Sequence, residues 1–172
     1  MIQRVFGITG WKNSGKTTLT CRLVEEFTRR GFRIATVKHA HHMFDVDQEG
    51  TDSHRHRLAG AGEVAIVSGQ RWAIMHELGE TDEPSLQDML ARLSPCDLVL
   101  IEGYKRESHP KIEARRLAAS DRTPLADNDA NICAIAADHP VPDATIPVFA
   151  LDDISGIADM IALKTGLGET AA

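Results

Sequence analysis

Apolar positions in this chain recur at two different spacings, and the switches between them mark out the elements. "IQRVFGIT" (2–9) is β-branched and aromatic and stops at Gly10, the pattern of a buried strand. Across 15–30, Leu19, Leu23, Val24 and Phe27 return at helical spacing and Gly31 supplies a stop, which predicts a helix. "FRIATVKH" (32–39) reads as the next strand. Strand, glycine turn, helix and strand make a βαβ unit, whose strands must be parallel and whose crossover is right-handed.

The rest of the chain continues the alternation. "EVAIVSG" (63–69) and "RWAIMHE" (71–77) read as two closely joined strands, and "SLQDMLARL" (85–93) as a short amphipathic helix. "DLVLIEG" (97–103) is an apolar strand ending in a carboxylate and a glycine, and "NICAIAAD" (131–138) and "IPVFAL" (146–151) read as two more buried strands. The Asp152–Asp153 pair offers N-caps to a last helix that buries Ile154, Ile157, Ala158 and Ile161. Continuous apolar strands imply a sheet covered on both faces, so the expected class is α/β: a largely parallel sheet with helices on both faces, three layers, in one domain over 1–172. Residues 39–58 and 103–130 are polar and predicted to be irregular loops, where function concentrates.

Chemistry enters first at "GWKNSGKT" (10–17), which matches G-x-x-x-x-G-K-[ST] between a strand and a helix N-terminus. Backbone N–H groups of residues 13 to 17 are expected to wrap a phosphate at the positive end of the helix dipole. Gly10 and Gly15 permit the close approach, Lys16 reaches the β- and γ-phosphates, and the Thr17 hydroxyl ligates Mg²⁺. A second acid must help to hold the metal. Glu102 closes the strand 97–103 at the edge where parallel sheets bind ligands, so it is the expected Mg²⁺-directed carboxylate. Asp97 opens that strand and is expected to cap the preceding turn.

Two further stretches and a few single residues carry candidates. "HAHHMFDVDQEGTDSHRHR" (39–57) holds Asp45 and Asp47, which in extended chain point to one side, as a loop sensing γ-phosphate through Mg²⁺ would require. The same loop offers His39, His41, His42, His54 and His56 as a transition-metal set, although no zinc spacing matches, and "TDS" as a helix N-cap. "GYKRESHPKIEARR" (103–116) reads as a basic loop with His109, suited to an anionic substrate or partner or simply to solvent. Lys12 is positioned to add charge to the phosphates or to reach across a dimer, and Trp72 reads as core or interface packing. Asp138 ends a late strand, where an acid would select guanine. The N-K-x-D motif is absent, and the residues alone leave GTP and ATP open.

Composition narrows the setting. A net charge of -6 argues against a general nucleic-acid binder. No apolar run approaches the roughly 20 residues that span a bilayer, and residues 1–15 lack a signal-peptide core, so a cytoplasmic protein is expected. Cys21, Cys96 and Cys133 show no pairing pattern and read as reduced thiols.

With "GWKNSGKTTL", "VKHAHHMFDVDQEGTDS", "AGA", "QRWAIM", "LVLIEGYKRESHPKIEARR" and "ANICAIAAD" in place, the chain closely resembles the molybdopterin-guanine dinucleotide biosynthesis protein B (MobB) family over nearly its whole length. The resemblance implies a P-loop NTPase fold and a GTP-binding homodimer of low GTPase activity. Such a protein is an adapter for the MobA-type guanylyltransferase that joins GMP to molybdopterin, giving the guanine dinucleotide form of the molybdenum cofactor. It carries nucleotide-binding roles to Gly10, Asn13, Ser14, Gly15, Lys16, Thr17 and Thr18, and metal-side roles to Thr17 and Glu102. The family's acidic loop matches Asp45 and Asp47, and the Asp52–Ser53 pair also fits; no residue announces a hydrolytic base. Two other classes stay open: a P-loop small-molecule kinase or ligase, and a metal-handling chaperone gated by GTP.

Overall fold

A computed structural model describes residues 4–40 and 44–168. The elements in chain order are β1 (Val5–Thr9), α1 (Lys16–Arg29), β2 (Ile34–Lys38), α2 (Asp52–Leu58), β3 (Glu63–Val67), β4 (Trp72–His76), α3 (Leu86–Arg92), β5 (Leu98–Glu102), β6 (Lys111–Arg115), β7 (Ile132–Ala137), β8 (Val148–Ala150) and α4 (Ile154–Thr165). The chain divides into two compact units. Residues up to His39 and from Met89 onward form one, and Ala40–Asp88 forms the other.

The first unit is built on a six-stranded, all-parallel sheet in the order β2-β5-β1-β6-β7-β8. The α/β class and the P-loop architecture read from the pattern both hold. Strands alternate their side chains between faces, so Phe6 and Ile8, Leu98 and Leu100, Ile112 and Ala114, and Ala134 and Ala136 pack into one core with Leu19, Leu23 and Phe27 of α1 and Ile157, Ala158 and Ile161 of α4. α1 and α4 also pack on each other. Asp153 caps α4 by accepting from the Gly156 N–H at 3.0 Å.

One strand went unread. Residues 111–115, expected to lie in a basic loop, form β6 in the middle of the sheet, with Lys111 wholly buried and Glu113 1% exposed. The physical reason is side-chain pairing that the fold supplies. Lys111 Nζ donates to Asp129 Oδ2 at 2.5 Å, and Glu113 accepts from the Leu125 and Ala126 N–H groups, each at 3.0 Å, and from Arg115 at 2.7 Å. The connection from β6 to β7 thus folds over the sheet face opposite α1 and supplies the partners that let charges sit inside.

The second unit holds α2 packed on β3 and the antiparallel pair β3–β4. Cross-strand register puts Val67 opposite Trp72 and Ala65 opposite Ile74. One hairpin face therefore carries Val67, Trp72 and Ile74, at 78%, 69% and 57% exposure, while Val64 on the other face is buried.

Candidate functional site

β1 lies between β5 and β6 and delivers the chain at Thr9 into the loop 10–15, from which α1 starts at Lys16. Asn13 and Gly15 adopt positive φ, 65° and 93°, turning loop N–H groups toward a shared concavity. The first α1 bond runs from Leu19 N–H to the Gly15 carbonyl, so the N–H groups of 16–18 are left for a ligand. Gly10 has φ 141°, and a Cβ there would lie 2.5 Å from the Ala114 carbonyl oxygen and collide with Ser14 Oγ. Only glycine lets the loop lie this close to β6.

Lys16 Nζ donates to the Trp11 carbonyl at 2.6 Å, folded across its own loop. Burial lowers its pKa, with Lys105 and Lys38 adding to the effect and Glu102 opposing it. A partly desolvated ammonium among other cations is a site suited to an anion. Thr17 Oγ1 donates to Glu102 Oε1 at 2.8 Å, and Lys38 Nζ approaches the same oxygen at 3.2 Å. A hydroxyl and a carboxylate in contact form the oxygen donor set that Mg²⁺ takes. Asp97 sits at the opposite end of β5, where it accepts from the Arg33 N–H at 2.6 Å, so it ties down the start of β2 and not the expected turn that precedes it in sequence.

Beside the loop opens a cleft of about 650 Å³, lined by Gly15, Thr18, Arg22, Arg116, Asp138 and Leu151 among others. The Asp138 carboxylate accepts from the Leu117 N–H at 3.0 Å and pairs with His139 Nδ1 at 2.8 Å. The His139 contact, helped by the Leu117 N–H, holds its pKa below the usual carboxylate value, so it stays charged. Trp11 is pinned by an indole bond to the Thr123 carbonyl at 2.7 Å and carries Lys105 Nζ 3.8 Å above its ring.

The structure brings Gly10, Asn13, Ser14, Gly15, Lys16, Thr17, Thr18, Glu102 and Asp138 together in the first unit, whereas the exposed Lys12 makes no ion pair among the described residues. Asp45 and Asp47 belong to the second unit. There Arg57 donates to Asp45 at 2.9 Å and to the buried Asp47 at 2.8 Å, and its other guanidinium nitrogen lies 3.5 Å from Glu77. Thr51 stands at the N-cap of α2, but its hydroxyl bonds back to the Gln48 carbonyl. His41 and His42 of the proposed metal set lie outside the described residues; among those described, no group of three or more His, Cys, Asp or Glu is placed to hold a metal.

Arg22 and His139 were not foreseen, and Arg116 was read only as part of the basic stretch 103–116. Arg22 follows Thr18 by one helical turn and so shares its side of α1, a signal present in the sequence. Arg116 and His139 follow the C-terminal ends of β6 and β7, and the first is legible only once β6 is recognised.

The model for "Molybdopterin guanine dinucleotide synthesis protein B" matches residues 5–138. The chain belongs to this family. It is 36% identical over 159 residues to the molybdopterin-guanine dinucleotide biosynthesis adapter protein of Escherichia coli K12, covering 91% of this chain and 90% of that one. The adapter protein of Haemophilus influenzae is 40% identical over 161 residues, covering 91% and 86%. The crystal structure of a MobB homologue from Bacillus stearothermophilus superposes with a TM-score of 0.71 at 29% identity, over 94% of this chain and 99% of that chain. Membership makes this a nucleotide-binding P-loop protein of molybdopterin guanine dinucleotide synthesis. No helix among the described residues is long and apolar enough to cross a membrane.

Proposed function

We propose that the chain is a GTP-binding adapter that holds GTP–Mg²⁺ and assists the MobA-type guanylyltransferase acting on molybdopterin. The observation that carries this is the Thr17–Glu102 contact of 2.8 Å beside Lys16, flanked in sequence by Gly15 and Thr18, which line a cleft wide enough for a nucleoside. Thr17 and Glu102 would hold Mg²⁺, the loop N–H groups and Lys16 the phosphates, and the cleft near Asp138 the guanine. Hydrolysis is slow in this reading, because the nearby acids are already engaged: Glu102 by Thr17 and Lys38, and Glu113 by Arg115 and two backbone N–H groups. A carboxylate so occupied is a poor base for water.

The adapter acts as a homodimer, with two copies joined through the Val67–Trp72–Ile74 face of the β3–β4 hairpin. A two-stranded hairpin is marginal on its own, and an exposed apolar face gains by being covered. The test is guanylyl transfer to molybdopterin by the MobA-type enzyme with and without this chain. Addition with GTP is expected to raise the rate, and the Lys16→Ala chain to leave it unchanged. No stimulation by the intact chain would refute the adapter reading.

A further inference from the structure

On its other side the loop 10–15 borders a second, much smaller cavity. It measures about 60 Å³ and is lined by Trp11, Ser14, Arg115, Arg116, Arg122 and His139, with Glu113 and Asp121 also on its wall. This is a few times the ~10–15 Å³ that a cavity needs to hold one water, room for one tetrahedral oxyanion and not for a nucleoside. Two groups on its wall are buried and unpartnered. Ser14 is 2% exposed with no hydrogen bond to Oγ, and Arg115 Nε is buried without an acceptor while its Nη2 serves Glu113. Buried donors without acceptors are rare and costly, so each calls for a partner.

Charge on the wall points the same way. Three guanidinium groups face two carboxylates. Of these acids, Glu113 is neutralised by Arg115 and two backbone N–H groups, and Asp121 accepts from the Thr123 N–H at 2.9 Å. Arg116 stands 3.6 Å from Asp138, and Arg122 has no ion pair among the described residues. Arginine forks match oxyanion geometry, and a seryl hydroxyl adds a donor without charge. Arg116 and His139 line both the cavity and the large cleft, so an occupant would lie next to a nucleotide in the cleft.

We propose that this cavity is a second oxyanion site, which takes one phosphate group beside the bound nucleotide through Ser14 Oγ, Arg115 Nε and Arg122. It rests on the reading of loop 10–17 as the nucleotide cradle. The phosphate comes either free, as inorganic phosphate, or as the phosphomonoester end of a second ligand.

The test titrates inorganic phosphate, and in a second arm glycerol phosphate, into protein saturated with a non-hydrolysable GTP analogue and Mg²⁺. Saturable binding is expected, weakened tenfold or more by Arg122→Gln and by Ser14→Ala. Arg122→Gln is expected to leave nucleotide affinity within twofold. Glycerol phosphate binding as tightly as phosphate identifies a ligand tail, and phosphate alone identifies the free ion. Titrating the nucleotide-free Lys16→Ala chain separates the two claims, since phosphate must still bind there even if the nucleotide reading fails. Phosphate that binds only in competition with nucleotide, or with undiminished affinity in both variants, overturns the second site.

Discussion

The Thr17 hydroxyl donates to Glu102 Oε1 at 2.8 Å, tying the first turn of α1 to the C-terminal end of β5 across 85 positions of sequence. β1 and β5 pair in parallel with Ile8 opposite Glu102, so both strand ends and the helix start converge on one point. Glu102→Gln keeps the shape and removes the charge. Nucleotide affinity in Mg²⁺ is expected to fall about tenfold, or ~1.4 kcal/mol, with little change in EDTA. Calorimetric titrations in the two buffers check it; an unchanged Mg²⁺ dependence would take the metal role away from Glu102.

Gly10→Ala tests the packing of the loop on β6. The added Cβ meets Ser14 Oγ and the Ala114 carbonyl, and φ of 141° disfavours any side chain. Overpacking of this kind costs about 1–3 kcal/mol, and the forced shift should abolish nucleotide binding. Urea denaturation and nucleotide titration read the two effects separately.

Buried charge in β6 gives a sharper stability test. Lys111→Met leaves Asp129 without its ammonium, an expected loss of about 3–5 kcal/mol, and Lys111→Met with Asp129→Asn should recover much of it. Equal losses in the single and double variants, measured as urea midpoints, would mean that the pair is not what admits lysine to the sheet.

His109 gives the fold a pH dependence. Burial, and next the Lys111 charge, push its pKa from 6.5 to about 4, with Asp129 opposing. The unfolded chain therefore takes up a proton between pH 6.5 and 4 that the folded chain refuses. Stability is full above pH 6.5, declines as pH falls toward 4, and loses nothing more from this group below that. The carboxylates with lowered pKa values, Asp97, Asp121, Asp129 and Asp138, act in the other window, their contribution fading only as pH drops below about 4. Denaturation midpoints at pH 7 and pH 5 should converge in His109→Leu relative to the unaltered chain.

The Val67–Trp72–Ile74 face makes the dimer testable. Trp72→Glu is expected to shift sedimentation from dimer to monomer at micromolar concentration while leaving the far-UV spectrum intact. A monomer before substitution, or a dimer after it, refutes this interface.

Most of the sheet was legible because β1, β5 and β7 are apolar at every step up to their last residues, a run that a doubly covered parallel strand favours. β6 was not, since Lys111, Glu113 and Arg115 alternate with Ile112 and Ala114 and read as a solvated segment. Their partners, Asp129, Leu125 and Ala126, lie 12 to 18 residues away, beyond any local pattern. The loop 10–17, Thr17 and Glu102 were visible because their chemistry needs fixed residue types at fixed spacing. The pairing of Asp45 and Asp47 with Arg57 was missed, as acids in a histidine-rich loop suggest ligands before they suggest a clamp.

The central claim is that the loop 10–17 and the Asp138 cleft bind GTP. The most direct measurement is calorimetric titration of GTP–Mg²⁺ and ATP–Mg²⁺ into the unaltered chain and the Lys16→Ala chain. The account predicts GTP bound at least tenfold more tightly than ATP, with both lost in Lys16→Ala. Equal affinity for the two nucleotides, or GTP binding retained without Lys16, would contradict it.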